Sequence, residues 1–314
     1  MSLWRVGVKS EMLTLIKKLN DTAVVLVKTP LGVTEKFTLP SICKQGTVLM
    51  PPICSVSVGE CCEEINQGGV SIGSAIIRSL AFVDDLMGLN TNLLDVGYSH
   101  DKTTFFASKK KMPLNEKKCN GLIVNNKKPY AVPVLYVNGI IMELEEKIRY
   151  LGDIFNAHGT NTDLLQDRVS RGISCLISCI SECSEVTQGC REIETMLLLY
   201  KLLFLSTVLY NSEAWSCLNQ NEVSQLERLP QRFLKRVLQV PKSTPNTLVL
   251  LELGLLPIAS EIHARQLRFL YHILSLPIED PVRQTYEQQK LFPQEKNWYN
   301  EVILLMKLYA IDIK

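Results

Sequence analysis

Ile76-Ile77-Arg78-Ser79-Leu80-Ala81-Phe82-Val83-Asp84-Asp85-Leu86-Met87-Gly88-Leu89 carries two short apolar runs on either side of a pair of acids. The runs Ile76 to Val83 and Leu86 to Leu89 have the length and composition of strands, which places Asp84 and Asp85 at the turn between them. Carboxylates at a hairpin tip face whatever lies above the sheet. Two of them side by side can take a divalent cation, because Mg²⁺ prefers oxygen ligands. Alone the pair is a weak signal, since acids are common in turns.

Outward from this hairpin the first half of the chain mixes strands and helices. Leu3, Met12, Leu15, Ile16 and Leu19 fall largely at helical spacing over residues 3 to 19, and Thr22 to Val27 and Val33 to Thr38 flank a turn at Pro30-Leu31-Gly32. Thr47 to Ile65 reads as a helix that accepts Pro51-Pro52 only in its first turn, with Gly68-Gly69 ending it and a short strand, Val70 to Ile72, beyond. Residues 92 to 112 read as a helix ending in Lys109-Lys110-Lys111, followed by extended runs at Val132 to Val137 and Arg149 to Ile154. Helix-period patterns then dominate: Leu164 to Ser184, Glu192 to Ser212, Asn219 to Val240, Ile258 to Leu276 and Asn297 to Ile311. The expected fold class is α+β, with a sheet-and-helix domain over residues 1 to 158 and an all-helical one over 159 to 314, the boundary lying near Gly159.

A chain of 314 residues with 46% hydrophobic content can bury a sizeable core. With 21% charged residues and a net charge of +2, contact with nucleic acid has to come from local basic patches. The ten cysteines show neither CxxC nor Cys/His finger spacing, as expected of a reduced intracellular protein. Cys175, Cys179 and Cys183 recur at one face of a helix, where core packing is expected and a metal site would need a fourth ligand opposite. Met1-Ser2-Leu3-Trp4-Arg5 has no charged start with a long apolar run, and Met196 to Tyr210 is shorter than a membrane span and holds Lys201, so neither secretion nor a membrane partner is expected.

Several segments, taken in order, resemble the reverse transcriptase (RNA-directed DNA polymerase) of non-LTR retrotransposons. Phe82-Val83-Asp84-Asp85 resembles the paired-aspartate hairpin of the polymerase palm. Lys44-Gln45-Gly46-Thr47-Val48-Leu49-Met50-Pro51 resembles the QG-x-x-L-S-P segment before the helix under the primer-template, with Met50 where serine is usual. Asn115-Glu116-Lys117-Lys118 resembles the N-x-x-K segment after the hairpin, and Tyr150-Leu151-Gly152-Asp153 the YLG segment that begins the primer grip. Leu209-Tyr210-Asn211-Ser212-Glu213-Ala214-Trp215, Thr244-Pro245 and Leu251 to Ile258 resemble the helical region beyond the palm.

The resemblance implies a partial palm, an antiparallel sheet with helices, followed by a thumb-like helical region. It implies Asp84 and Asp85 as Mg²⁺ ligands, Lys118 beside the leaving pyrophosphate, Gln45 and Gly46 against the incoming nucleotide, and Tyr150, Leu151 and Gly152 at the primer end. RNA template, DNA primer and deoxynucleoside triphosphates are the implied partners, and nucleus or cytoplasm is left open. Segment 101 to 128 holds eight lysines against Asp101 and Glu116, suited either to phosphate or to a solvated charged face. Arg228, Arg232, Lys235 and Arg236 lie on one helix side opposite Leu226, Leu229, Phe233 and Val237, suited to a nucleic-acid backbone or again to solvent.

In that family a strand with a further metal-binding aspartate, and the fingers before it, precede the region that begins here at Leu3-Trp4-Arg5. The chain is therefore expected to be truncated at its N-terminus, with an incomplete metal site and no polymerase activity on its own. Glu11 and Asp21 are the only acids before Pro30, and neither stands on a suitable strand. Apolar surface and a sheet edge are expected to be uncovered. The alternative from another class is a non-catalytic relic or domesticated protein that serves as an RNA-binding or protein-binding scaffold.

Overall fold

Short β-ladders and longer helices alternate through the first half of the chain and helices fill the second, so the fold is a mixed α+β one. The computed structural model describes residues 2–21, 24–38, 47–124, 134–186, 193–216 and 218–312. The chain divides into two compact units: Met1–Ser71, Ile76–Cys119 and Tyr130–Met142 form the first, and Ile72–Ala75, Asn120–Pro129 and Glu143–Lys314 the second.

In the first unit the helix expected over residues 3 to 19 is two helices, Ser2–Arg5 and Ser10–Asp21. Gly7 breaks it. Its φ of +84° lets its N–H reach the Trp4 carbonyl while Val8 N–H reaches Leu3, a Schellman stop. The second of these helices leaves Met12, Leu15 and Leu19 about half exposed. Next come two short antiparallel ladders, Val24–Val25 with Phe37–Thr38 and Lys28–Thr29 with Gly32–Val33.

Helix Met50–Glu64 begins with its two prolines in the first turn, where their missing N–H groups cost nothing, and buries Val58 and Cys61. Burial raises the Cys61 thiol to about 11, so it packs as an uncharged side chain. Helix Leu93–Lys110, which buries Ser99, Phe106 and Ala107, packs against it, and Lys110 Nζ reaches Glu60 Oε2 at 2.6 Å. Asn92 caps this helix by accepting Asp95 N–H at 2.9 Å. The run expected as one strand, Ile76 to Val83, is two, Ala75–Ile77 and Ser79–Phe82; only the latter pairs with Asp85–Gly88.

The second unit opens with a parallel pair, Asn120–Gly121 with Glu143–Leu144, and then a hairpin, Lys147–Tyr150 with Asp153–Asn156. The single extended run expected over Arg149 to Ile154 is thus a reversal. Helix Thr162–Val186 follows and puts Leu164, Leu165, Leu176 and Cys179 into a core shared with Met196, Tyr200, Phe204, Val208 and Leu209. Gly172 makes the approach possible, because a Cβ there would collide with Val208 and press on Phe204. Cys179 is fully buried, as core packing requires, and Cys175 is half-buried with its sulfur 3.7 Å from Thr207 Oγ1.

The helix expected over 192 to 212 is Ile193–Leu199, a π-helical stretch Tyr200–Leu205, and Ser206–Val208. It ends early because Asn211 takes a left-handed φ of 59° and a 3₁₀ turn, Ser212–Ala214, follows. Pro230, which has no N–H to continue the ladder, divides the next helix into Gln220–Arg228 and Gln231–Val237. Two helices absent from the sequence expectation, Asn246–Glu252 and Pro281–Gln289, span only two turns or so, too short for a clear period. Helices Ile258–Ser275 and Trp298–Leu308 complete the unit around a second core of Leu270, Ile273, Tyr286, Trp298 and Val302. Among the described residues no helix is long and apolar enough to cross a membrane.

Candidate functional site

The aspartate hairpin is a tight one. Phe82 and Asp85 face each other as the last register pair, which leaves Val83 and Asp84 as a two-residue loop. Val83 has φ 57° and Asp84 does not share a positive φ, the pattern of a type II′ turn, whose first position ordinarily belongs to glycine. A β-branched residue there costs roughly 1–2 kcal/mol of backbone strain. Helix Met50–Glu64 packs on strand Ser79–Phe82 from within the same unit.

Both aspartates are exposed, and among the described residues neither carboxylate accepts a hydrogen bond or forms an ion pair. Phe82 beside them is also exposed, at 61%. Among the described residues no group of three or more His, Cys, Asp or Glu side chains gathers to hold a metal ion. Two neighbouring carboxylates suit one oxygen-liganded Mg²⁺ shared with a phosphate, but they do not fit the pair of ions that two-metal nucleotidyl transfer requires.

Lys118 lies at the end of a 3₁₀ turn, Glu116–Lys118, in the same unit as the aspartates, with its side chain in solvent. That turn is pinned by Asn138, whose Nδ2 donates to Glu116 Oε1 at 2.8 Å and to the Leu114 carbonyl at 3.2 Å. The amide holds the Glu116 carboxyl below its usual range. Gln45 and Gly46 lie outside the described residues.

Tyr150, Leu151 and Gly152 prove to be the corner of the hairpin 147–156. Leu151 (φ 47°) and Gly152 (φ 89°) form a type I′ loop between the facing pair Tyr150 and Asp153. Asp153 is buried and binds the guanidinium of Arg168, itself 2% exposed, while Asn211 Nδ2 donates to the other carboxylate oxygen at 2.7 Å. Arg168 also donates to the Gly152 carbonyl at 3.2 Å, and Tyr210 Oη donates to the Leu151 carbonyl at 3.0 Å. The Arg168 guanidinium sits 4.9 Å from the Tyr210 ring centre.

Arg149 joins this knot through Nη1, which donates to the Gly152 carbonyl at 3.3 Å, and it grips Asp167 through both terminal nitrogens at 2.7 and 3.3 Å, where Arg171 adds a contact at 2.9 Å. The Arg149 hydrogen bond, opposed in part by burial, holds the Asp167 carboxyl below its usual range. The sequence reading named Tyr150, Leu151 and Gly152 but missed Arg168. Its signal was present: Leu164, Arg168, Gly172 and Leu176 recur every four residues on the buried face of one helix, and a cation on such a face needs an acid.

Of the four basic residues 228 to 236, Arg228, Arg232 and Arg236 are exposed at four-residue intervals and form no ion pair among the described residues. Lys235 departs from them, half-buried with its ammonium on the Lys242 carbonyl at 2.8 Å. Leu226, Phe233 and Val237 are buried behind the stripe and Leu229 is partly so. The local acids are engaged elsewhere: Glu222 closes a capping box with Asn219, and Glu227 accepts Ala259 N–H at 2.9 Å. No model of a known family matches the chain, and no curated protein matches it.

Proposed function

We propose that this chain is part of an RNA-directed DNA polymerase of the non-LTR retrotransposon kind, and that its own role is to hold nucleic acid rather than to complete nucleotidyl transfer. The observation that carries this reading is the tight hairpin with Asp84 and Asp85 exposed at its turn beside Phe82. The order of the other segments supports it, as does the meeting of two segments that resembled the family independently, Tyr150–Asp153 and Tyr210–Asn211. In the proposed architecture the first unit is palm-like and the helices beyond Thr162 thumb-like. Lys118 neutralises phosphate near the hairpin, and Tyr150, Leu151 and Gly152 lie at the primer end.

Arg228, Arg232 and Arg236 take the nucleic-acid backbone. Arg232 and Arg236 stand four residues apart on one helix, an advance of about 6 Å close to the repeat of phosphates along a strand, and Arg228 ends the helix before Pro230; the three guanidinium groups, without an ion pair among the described residues, can each displace a counterion. Lys235 contributes little, since its ammonium is already engaged. Mg²⁺, if bound, would be held by Asp84 and Asp85 and would supply charge neutralisation of phosphate there.

The test is fluorescence anisotropy with a labelled RNA–DNA hybrid across a salt series, run beside primer extension on an RNA template with Mg²⁺ and all four deoxynucleoside triphosphates. Binding is expected, with the salt slope reduced by about three in the triple variant R228Q/R232Q/R236Q. Asp84→Asn is expected to leave binding unchanged, and no extension is expected. A chain that fails to bind the hybrid at low salt would overturn the proposal. Extension that Asp84→Asn abolishes would overturn the scaffold role and restore catalysis.

A further inference from the structure

The loop Leu151–Gly152 is held from behind by residues distant in sequence. Tyr210 donates to the Leu151 carbonyl, Arg168 to the Gly152 carbonyl and to the Asp153 carboxylate, and Asn211 to the second oxygen of that carboxylate, while Arg149, from the hairpin's own strand, shares the Gly152 carbonyl at 3.3 Å. Two consecutive loop carbonyls and the side chain after them are thereby fixed. Arg168 stands at the centre: it touches two of the three acceptors and lies against the ring of the residue that holds the third. At 2% exposure it cannot reach a polyanion itself, and its charge is already matched by Asp153.

We infer that Arg168 is a positioning residue, which locks the Leu151–Gly152 loop into one left-handed conformation so that its outer side meets a primer 3′ end in a fixed geometry. The physical need is clear. Leucine at φ 47° is not a conformation the residue adopts unaided, and a contact that must hold a reacting end tolerates little loop motion. Arginine is suited to the task because Nη2 alone meets both acceptors while the planar face of the guanidinium covers the Tyr210 ring, a contact area that a lysine ammonium does not provide. The nucleic-acid half of this inference rests on the proposed function; the locking half does not.

Replacing a buried ion pair by uncharged side chains of similar volume often leaves stability unchanged, which separates locking from mere stability. The double variant D153N/R168M is therefore expected to melt close to the unsubstituted chain. Its amides at 150 and 153, the facing pair that closes the loop, should exchange about tenfold faster or more, while amides of helix Thr162–Val186 stay protected. With a hybrid carrying 2-aminopurine at the primer 3′ end, the unsubstituted chain should change the probe's fluorescence on binding. The double variant should bind with affinity within about threefold, because the arginine stripe is intact, but lose most of that change.

Arg168→Lys keeps the charge and serves as the second variant should the double one not fold. It is expected to show the same faster loop exchange and the same loss of 3′-end signal. Amides at 150 and 153 that exchange at the unsubstituted rate in whichever variant folds would overturn the locking role. A loosened loop with an unchanged 3′-end signal would overturn the positioning role. Binding without any 3′-end signal in the unsubstituted chain would overturn the assignment of the loop to the primer while leaving the locking measurement decisive for Arg168.

Discussion

The hairpins at 79–88 and 147–156 are built alike and supported differently. Each closes with a two-residue loop, and each places a bulky residue, Val83 or Leu151, at a positive φ that such residues avoid. Around Leu151 the strain is offset by hydrogen bonds to both loop carbonyls and by a buried ion pair. Around Val83, by contrast, Asp84 and Asp85 have no hydrogen-bonded or ionic partner among the described residues. One loop is shaped from within; the other presents its polar groups outward. Strained backbone persists where its surroundings hold it, and the described contacts supply that hold at Leu151 through the loop carbonyls and Asp153.

The largest effect that could break this contrast is expected at Arg168. Arg168→Gln strands the Asp153 carboxylate in a buried site and should cost about 3–5 kcal/mol, measured as a shift in urea midpoint at unchanged slope. Asp84→Asn and Asp85→Asn should each stay within about 0.5 kcal/mol in the same assay, as exposed unpaired side chains do. Equal losses at the two hairpins would erase the distinction.

Next in size is Gly152→Ala, which sets a methyl group at φ 89° and 3.4 Å from the Tyr210 ring. A loss of roughly 1–2 kcal/mol is expected by chemical denaturation. Val83→Gly tests the other hairpin with the opposite sign. Relief of strain of roughly 1–2 kcal/mol outweighs the unfolded-state entropy that glycine adds, about 0.4–1 kcal/mol, so a small gain or no change is expected. A clear loss there would show that the valine side chain packs usefully despite its backbone.

The smallest effect is pH-dependent. The Asp167 carboxyl is held below its usual range chiefly by the hydrogen bond from Arg149, so its contribution to stability is full above the unfolded value near 4 and is lost as pH falls through the lower folded value. Thermal melts between about pH 5 and 2 should therefore decline less steeply in Asp167→Asn than in the unsubstituted chain. An identical decline would mean that the Arg149–Asp167 contact is too solvated to matter, since the Arg149 side chain is 44% exposed.

The aspartate hairpin was legible because its signal is local: two apolar runs with acids between them need only neighbouring residues to be read. The corner at Leu151–Gly152 was not legible as a corner. Arg149, Tyr150 and Ile154 look extended, and leucine gives no hint that it will take a left-handed φ. What forces it there lies far along the chain, with Tyr210 and Asn211 arriving 59 and 58 residues later. The break at Gly7 and the helix end before Asn211 were missed for the related reason that periodicity reports which face is apolar, not where the backbone turns over. Pro230, which acts through its own missing N–H, was legible as a break or late start, and the structure divides the helix there.

The π-helical stretch Tyr200–Leu205 has a consequence for how this chain tolerates insertion and deletion. A π turn accommodates one residue more than an α turn, so the segment carries a residue of slack just ahead of Tyr210 and Asn211. Deleting one residue there, exposed Leu202 for instance, would let the helix relax to ordinary α geometry at little local cost. The same deletion would leave the residues on either side facing as they do now, because the wider turns absorb the extra residue, and Tyr210 and Asn211 would keep their places at the hairpin corner. This short segment can therefore lose one residue without disturbing the contact downstream, whereas a further loss, with no π turn left to absorb it, would turn Tyr210 and Asn211 by about 100° away from the corner.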